Sequence, residues 1–188
     1  MPTILTTPPA IEPVSLAEAK AHLRVSHSEE DQLISTLISS ARRIVEARSS
    51  LLLIQQDWTC YRDDWPDNGI IDLPLAPVMS VNSLTVFSDE DIPASIDPAH
   101  FYADTASRPP RLLLRGSRVW TRPGRIASGI AIGVTAGFGP AATAVPEPLR
   151  QAMLILVAHW FEHRGNGNPP PLPLTFDDLV IPWREVRL

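Results

Sequence analysis

The stretch "RIASGIAIGVTAGFG" at 125–139 constrains the fold more than any other segment of this chain. Ile126, Ser128, Ile130, Ile132, Val134, Ala136 and Phe138 alternate with Ala127, Gly129, Ala131, Gly133, Thr135 and Gly137. A repeat of two places the first set on one face of a strand and the second on the other. One face is mostly large and apolar; the other is small, so that another element can approach it closely. Several short strand candidates precede it. "IQQDWTCYRD" is rich in strand formers, and "GIIDLPLAPVMSVNSLTVFS" holds two apolar runs split by Pro74 and Pro77. In the second run Leu84 and Val86 are expected on one face, with Val81, Thr85 and Phe87 on the other. "FYAD" and "RLLLRG" are further short candidates. Short strands in succession predict an antiparallel sheet over about 54–138.

Helical signals flank this region. Ser15 and Glu18 have the spacing of a capping box, in which each side chain satisfies the other residue's backbone N–H. They start a short helix at about 16–24. Ser28 with Asp31 forms a second, weaker cap, and a longer helix is expected at about 29–48. Its stripe is Leu33, Ile34, Leu37, Ile38, Ala41, Ile44 and Val45 at 3.6-residue spacing. Pro146 and Pro148 open a third helix at about 147–164, since proline is tolerated in a first turn. Apolar residues surround it almost completely, as in a helix covered on more than one side. The expected fold is α+β: a small bundle of two N-terminal helices and one long C-terminal helix, with an antiparallel sheet inserted between them. Residues 1–14, with four prolines, read as an extended arm, and 15–164 as one domain. Residues 165–188 read as a proline-rich linker and an extended docking tail.

Composition excludes several classes. No apolar run approaches the roughly 20 residues of a membrane span. "MPTILTTPPA" lacks the basic and apolar regions of a signal peptide, and a single cysteine, Cys60, permits no intrachain disulfide. Folding in a cytosolic compartment is the simplest expectation. The net charge of −5 argues against a protein that grips nucleic acid by neutralising phosphates.

Candidate chemistry is weak throughout. His159 and His163 have the i, i+4 spacing of metal ligands, but "HWFEH" is not the H-E-x-x-H motif and no third ligand is evident. The expectation is one partly buried histidine and one near the helix C-terminus. Gly124 and Gly129 in "GRIASG" have phosphate-loop spacing without the following Lys and Ser or Thr, so they are assigned to sheet packing. Asp57, Asp63, Asp64 and Asp67 surround Trp58 and Trp65, yet no partner set for two-carboxylate hydrolysis accompanies them. Cys60 has no histidine placed to activate it. No catalytic, cofactor-binding or metal-ligating residue is assigned. The segment that fold building does not need is the end of the chain: Phe176, Leu179, Ile181, Pro182, Trp183, Arg184, Val186, Arg187 and Leu188. Trp and Arg are enriched in interface hot spots, which makes these residues a candidate docking segment. The alternative is that this segment folds back onto its own core.

These segments, in this order, resemble one family: the head–tail connector, or adaptor, proteins of tailed bacteriophages, in the longer β-containing type found in prophages and gene transfer agents. "PVSLAEAKAHLRVSHSEEDQLISTLISSARRIVE" resembles the family's opening helix pair. "QQDWTCYRDDWPDNGIIDLPLAPVMSVNSLTVF" is similar to its tryptophan strand and "LP-x-x-PV-x-S-V" segment. "IGVTAGFG" followed by "VPEPLRQAMLILVAHWFEHR" resembles its sheet-to-helix passage, and "LVIPWREVRL" its terminal hydrophobic-Pro-aromatic-Arg signature, with Trp183 where Tyr is common. The resemblance implies a non-enzymatic structural protein without cofactors. Copies would form a ring beneath the portal, a dodecamer in the usual case. The ring would extend the DNA channel and meet a further neck component such as a stopper or tail terminator. Double-stranded DNA would pass through without specific binding, and no membrane would be involved. Assembly would take place in the bacterial host cytoplasm, and the protein would end in the neck of the virion or phage-like particle. The portal is the partner implied for the segment from Phe176 to Leu188. Two other readings stand beside this one: a tail-completion or other assembly adaptor, and a small hydrolase using the acidic loop.

Overall fold

A computed structural model describes residues 1–115, 120–164 and 171–184. The chain divides into two compact units, Met1–Pro9 with Gln55–Phe138, and Ala10–Ile54 with the described residues from Gly139 onward.

The first unit is built of strands β1 (Thr3–Thr7), β2 (Gln56–Arg62), β3 (Ile70–Asp72), β4 (Val78–Phe87), β5 (Pro93–Ser95), β6 (Phe101–Asp104), β7 (Arg111–Leu114) and β8 (Ile130–Ala136). They form two antiparallel sheets, one ordered β1-β2-β8-β4-β5 and the other β3-β7-β6. β8 lies in the middle of the larger sheet. Ile130, Ile132, Val134 and Ala136 are fully buried, opposite Cys60 and Trp58 on β2 and Leu84 and Val86 on β4. The small face carries a cross-strand polar chain. Thr135 Oγ1 donates to Asp57 Oδ1 at 2.6 Å, Asn82 Nδ2 donates to Thr135 Oγ1 at 2.7 Å, and Ser80 Oγ donates to Asn82 Oδ1 at 2.7 Å. Polar pairs of this kind fix register between facing strands.

Three sequence expectations are corrected in this unit. β4 shifts register between Val78 and Ser80 and again between Val81 and Ser83. An inserted residue reverses the parity of a strand. Val81 therefore lies opposite Val134 and joins Leu84 and Val86 on the apolar face, not Thr85 and Phe87. β8 begins at Ile130, so Ile126 is not a core position; it is 99% exposed. Residues 3–7 of the expected arm are a strand at the sheet edge, with Thr3 opposite Cys60 and Leu5 opposite Trp58.

The second unit contains helices α1 (Leu16–Leu23), α2 (Asp31–Ser49), α3 (Glu147–Glu162) and α4 (Leu174–Val180). The capping box at α1 is present, with Glu18 N donating to Ser15 Oγ at 3.2 Å and Ser15 N to Glu18 Oε2 at 2.8 Å. The Ser15 N–H and then the Ser15 hydroxyl, which donates to Glu18 Oε2 at 2.8 Å, with Arg150 adding its charge, hold the Glu18 carboxyl below the usual range. The Ser28–Asp31 cap is absent. Asp31 instead pairs with Lys20 Nζ at 2.5 Å, tying the start of α2 to α1, and Glu30 at the N-cap makes no side-chain capping bond. α2 buries Ile34, Ile38, Ala41 and Val45, while Leu33 and Ile44 remain 38% exposed. α3 buries Leu149, Ala152, Met153, Leu156 and Val157.

One buried cation organises this unit. Arg42 Nε donates to Glu12 Oε2 and its Nη1 to Glu46 Oε2, both at 2.8 Å. Glu46 Oε1 also accepts the Leu53 N–H at 3.0 Å, so a single network joins the segment before α1, the middle of α2 and the segment after it. Removing one partner of a buried pair leaves the other charge desolvated and uncompensated. Arg42→Ala should lower unfolding stability by about 3–5 kcal/mol, measured by urea denaturation, and Arg42→Met by less because its stem still fills the space.

Asp104 gives the smaller sheet a pH dependence. Its carboxylate accepts hydrogen bonds from Ser107 and from Arg111, and these lower its pKa to about 2. The folded value lies below the unfolded one, so the contribution is present above about pH 4 and is lost as pH falls through about 2. Thermal melts should therefore show the wild type more stable than Asp104→Asn at pH 5, with the difference shrinking towards pH 2.

Candidate docking surfaces

The terminal segment is a helix followed by a turn, not the extended tail expected. Leu174–Val180 form α4, and Ile181–Trp183 add one 3₁₀ turn. Phe176 and Val180, spaced i, i+4, are 0% and 2% exposed. α4 packs on α3, and Arg48 of α2 reaches Asp177 at 3.9 Å. Phe176 therefore serves the subunit's own core and is withdrawn from any docking face. The physical reason is that Pro173 precedes the first helical residue and suits a helix start, while two large apolar residues one turn apart make one buried side. Leu179 and Trp183 are half-buried, whereas Ile181 is 60% exposed and Pro182 and Arg184 are exposed. Val186, Arg187 and Leu188 lie outside the described residues, as does the linker at 165–170.

The remaining candidates are accounted for one by one. His159 is buried and His163 half-buried, their rings 4.8 Å apart, with His163 Nδ1 2.7 Å from the His159 carbonyl at the end of α3. Among the described residues no three His, Cys, Asp or Glu side chains converge on a point that could hold a metal. The four aspartates are not brought together. Asp57 belongs to the sheet network, Asp63 Oδ1 accepts the Ser128 N–H at 2.7 Å, and Asp67 is exposed. Asp64 accepts the Trp65 N–H at 2.8 Å and Arg122 Nε at 3.2 Å; these bonds, the Trp65 one first, lower its pKa. Cys60 is fully buried, and burial pushes its thiol up to about 11, far from a reactive thiolate. No described helix is long and apolar enough to cross a membrane.

Comparison with known proteins bears on the remaining readings. Residues 13–92 match the family of phage gp6-like head–tail connector proteins, a span running from the start of the helical unit through α1, α2 and β4. Over its whole length the chain also resembles solved structures. One is a chain in the neck of an empty gene transfer agent particle computed with C6 symmetry, with a TM-score of 0.85, 26% identity, and coverage of 100% of this chain and 97% of that one. A second comes from the virion of a native gene transfer agent particle, with a TM-score of 0.86, 25% identity and coverage of 100% and 97%. A third is from the neck of a native particle computed with C12 symmetry, with a TM-score of 0.76, 25% identity and coverage of 98% and 97%. The chain is thus similar to phage head–tail connectors over 13–92 and to gene transfer agent neck and virion chains along its length. No curated protein matches it significantly. The described side chains that could carry chemistry are engaged in separate structural contacts. A structural protein of a particle neck needs faces for other proteins. The terminal segment is the candidate face that the sequence offers; the exposed position of Ile126 is hidden there, because that residue continues the strand alternation.

If α4 belongs to the core, Phe176→Ala should cost about 3–5 kcal/mol of stability, as large-to-small core changes do, while Ile181→Ala should stay within about 0.5 kcal/mol. Paired thermal melts check this. Equal, small losses in both variants would show that α4 does not pack as described.

Proposed function

We propose that this protein is a structural, non-catalytic connector that forms a ring in the neck of a phage-like particle, beneath the portal, and joins the head to the next neck component. The observation that carries this reading is the match along the whole chain to neck chains of gene transfer agent particles, taken with the connector family match over 13–92. Ring geometry requires heterologous contacts, in which one face of a copy meets a different face of the next. C6 and C12 symmetry of the related necks supports such a ring. Assembly in the cytoplasm of a bacterial host follows from this reading. The net charge of −5 suits a conduit. DNA passing such a wall finds few cations with which to exchange its counterions, so nothing traps the phosphates.

Portal attachment belongs to the end of the chain beyond α4. Ile181, Pro182, Trp183 and Arg184 follow a helix whose Phe176 and Val180 are anchored in the core; Trp183 is half-buried, while Ile181, Pro182 and Arg184 are exposed at a fixed point of the subunit. Val186, Arg187 and Leu188 continue the same apolar and basic pattern. An anchored exit lowers the entropy lost on docking. The boundary for a test lies after Val180, because removal from 176 would also remove Phe176 from the core.

Deleting 181–188, or combining Trp183→Ala with Arg184→Ala, should leave a folded protein and lower co-sedimentation with purified portal at least tenfold. Circular dichroism checks the fold. Unchanged portal binding would overturn the assignment of this segment, and a wild-type protein that never binds portal would overturn the connector position itself.

A further inference from the structure

The loop between Thr121 and Ile130 holds one side chain in water while its flanks are tied down. Ile126 is 99% exposed, and Ala127 beside it is exposed. On one flank Trp65 Nε1 donates to the Thr121 carbonyl at 2.9 Å, and Gly124 N donates to the Phe87 carbonyl at 2.9 Å. On the other, Ser128 N is held by Asp63, and Phe87 N donates to the Gly129 carbonyl at 2.9 Å. Arg125 pairs with Asp91, and its guanidinium lies 3.8 Å from the centre of the Phe87 ring. Glycine is required at both hinges of this loop. A Cβ at Gly124 would overlap the Asp89 backbone, and one at Gly129 would overlap Pro123.

A single exposed apolar residue is ordinary on a protein surface. Here it does not stand alone. Beside the loop runs an open groove of about 510 Å³ whose lining includes Val86, Phe87, Ile92, Ala94 and Thr121, and Ile92 is itself 58% exposed. The surrounding charge is mainly acidic: Asp89 and Glu90 line the groove, and its nearby cations Arg122 and Arg125 are already paired, with Asp64 and Asp91.

We propose that Ile126 and this groove form a preformed docking surface for an apolar segment flanked by lysine or arginine, carried by a different protein of the particle. Tethering before encounter reduces the entropy lost on docking. The acidic rim selects the partner. It repels the phosphates of duplex DNA, and a second copy of this chain, itself at −5, offers no overall charge complement. A basic-flanked apolar segment satisfies both the groove and its rim. The proposal rests on the connector reading only for where the partner is found.

The test places a photoreactive benzoylphenylalanine at position 126 in assembled particles and identifies the cross-linked protein by mass spectrometry. The expected product is a different protein, joined at an apolar site with Lys or Arg within a few residues. Its yield should fall at least fivefold when Asp89→Lys and Glu90→Lys are combined. These positions are exposed, so a thermal melt of that double variant should match the parent. A cross-link to a second copy, to DNA, or to nothing would overturn the proposal. Particles that contain the protein yet give no cross-link would sink this inference alone, whereas particles from which the unaltered protein is missing would sink the connector reading.

Discussion

Strand β8 is paired along both edges, and the larger sheet cannot form without it. Its partners come from distant parts of the chain: Asp57 and Thr135, 78 residues apart, share a hydrogen bond, and Asn82 reaches the same hydroxyl across 53 residues. The entropy of closing such loops is lost before the contacts that reward it are made. What offsets that loss is the alternation itself, because one seven-residue strand sends Ile130, Ile132, Val134 and Ala136 into a single buried layer. β1 joins last in space, at the edge, with Ile4 58% and Leu5 40% exposed. Long unguarded edges invite pairing with other chains, and this one is only five residues long and followed by Pro8 and Pro9.

The helical unit solves a different problem. Its chain enters before the sheet insertion and resumes after it, so segments far apart in sequence must be held together. Arg42, through Glu12 and Glu46, fastens the segments that precede the insertion to one another. Arg150 bridges the insertion itself, donating to the Pro13 carbonyl at 3.0 Å and pairing with Glu18. Arg164 pairs with Glu30 at the foot of α2. Buried or half-buried ion pairs add little net stability over apolar packing, but they specify which segments meet. Proline-rich segments such as residues 8–13 have few backbone donors to offer. Side-chain cations that bind a carbonyl or a carboxylate supply the missing attachment.

Much of the fold could be read from residue spacing, and its gaps have specific causes. The capping box at Ser15 is a local signal and needs no tertiary context, so it was legible. The alternation at 130–136 was legible for the same reason, but at 126–128 it continued by coincidence past the end of the strand, and Pro123, Gly124 and Gly129 were the contrary signals. Two register shifts in β4 moved Val81 to the other face, which no strict repeat of two can report. α4, at seven residues, is too short to show a helical period, and the same apolar residues fit a docking tail equally well. The sequence contains the pair Phe176 and Val180; only packing shows that they face inward.

Helical periodicity also states more than one subunit uses. The apolar arc of α2 is wide, and its two halves have different fates. Ile34, Ile38, Ala41 and Val45 are buried, while Leu33 and Ile44 are left 38% exposed and Leu37 half-exposed, in line along the helix. Outward apolar residues aligned on a rigid helix suit contact with another protein. In a ring of identical acidic copies, charge would oppose approach, but only weakly beyond the screening length of about 8 Å at physiological ionic strength. Closure would then rest on short-range apolar contacts of modest area, each too weak to hold two free copies together. A portal that already possesses rotational symmetry would bring copies to high local concentration, and contacts insufficient in dilute solution would suffice there. On the proposed connector reading the negative charge and the limited apolar arc would act together: they would keep copies apart until a template aligned them.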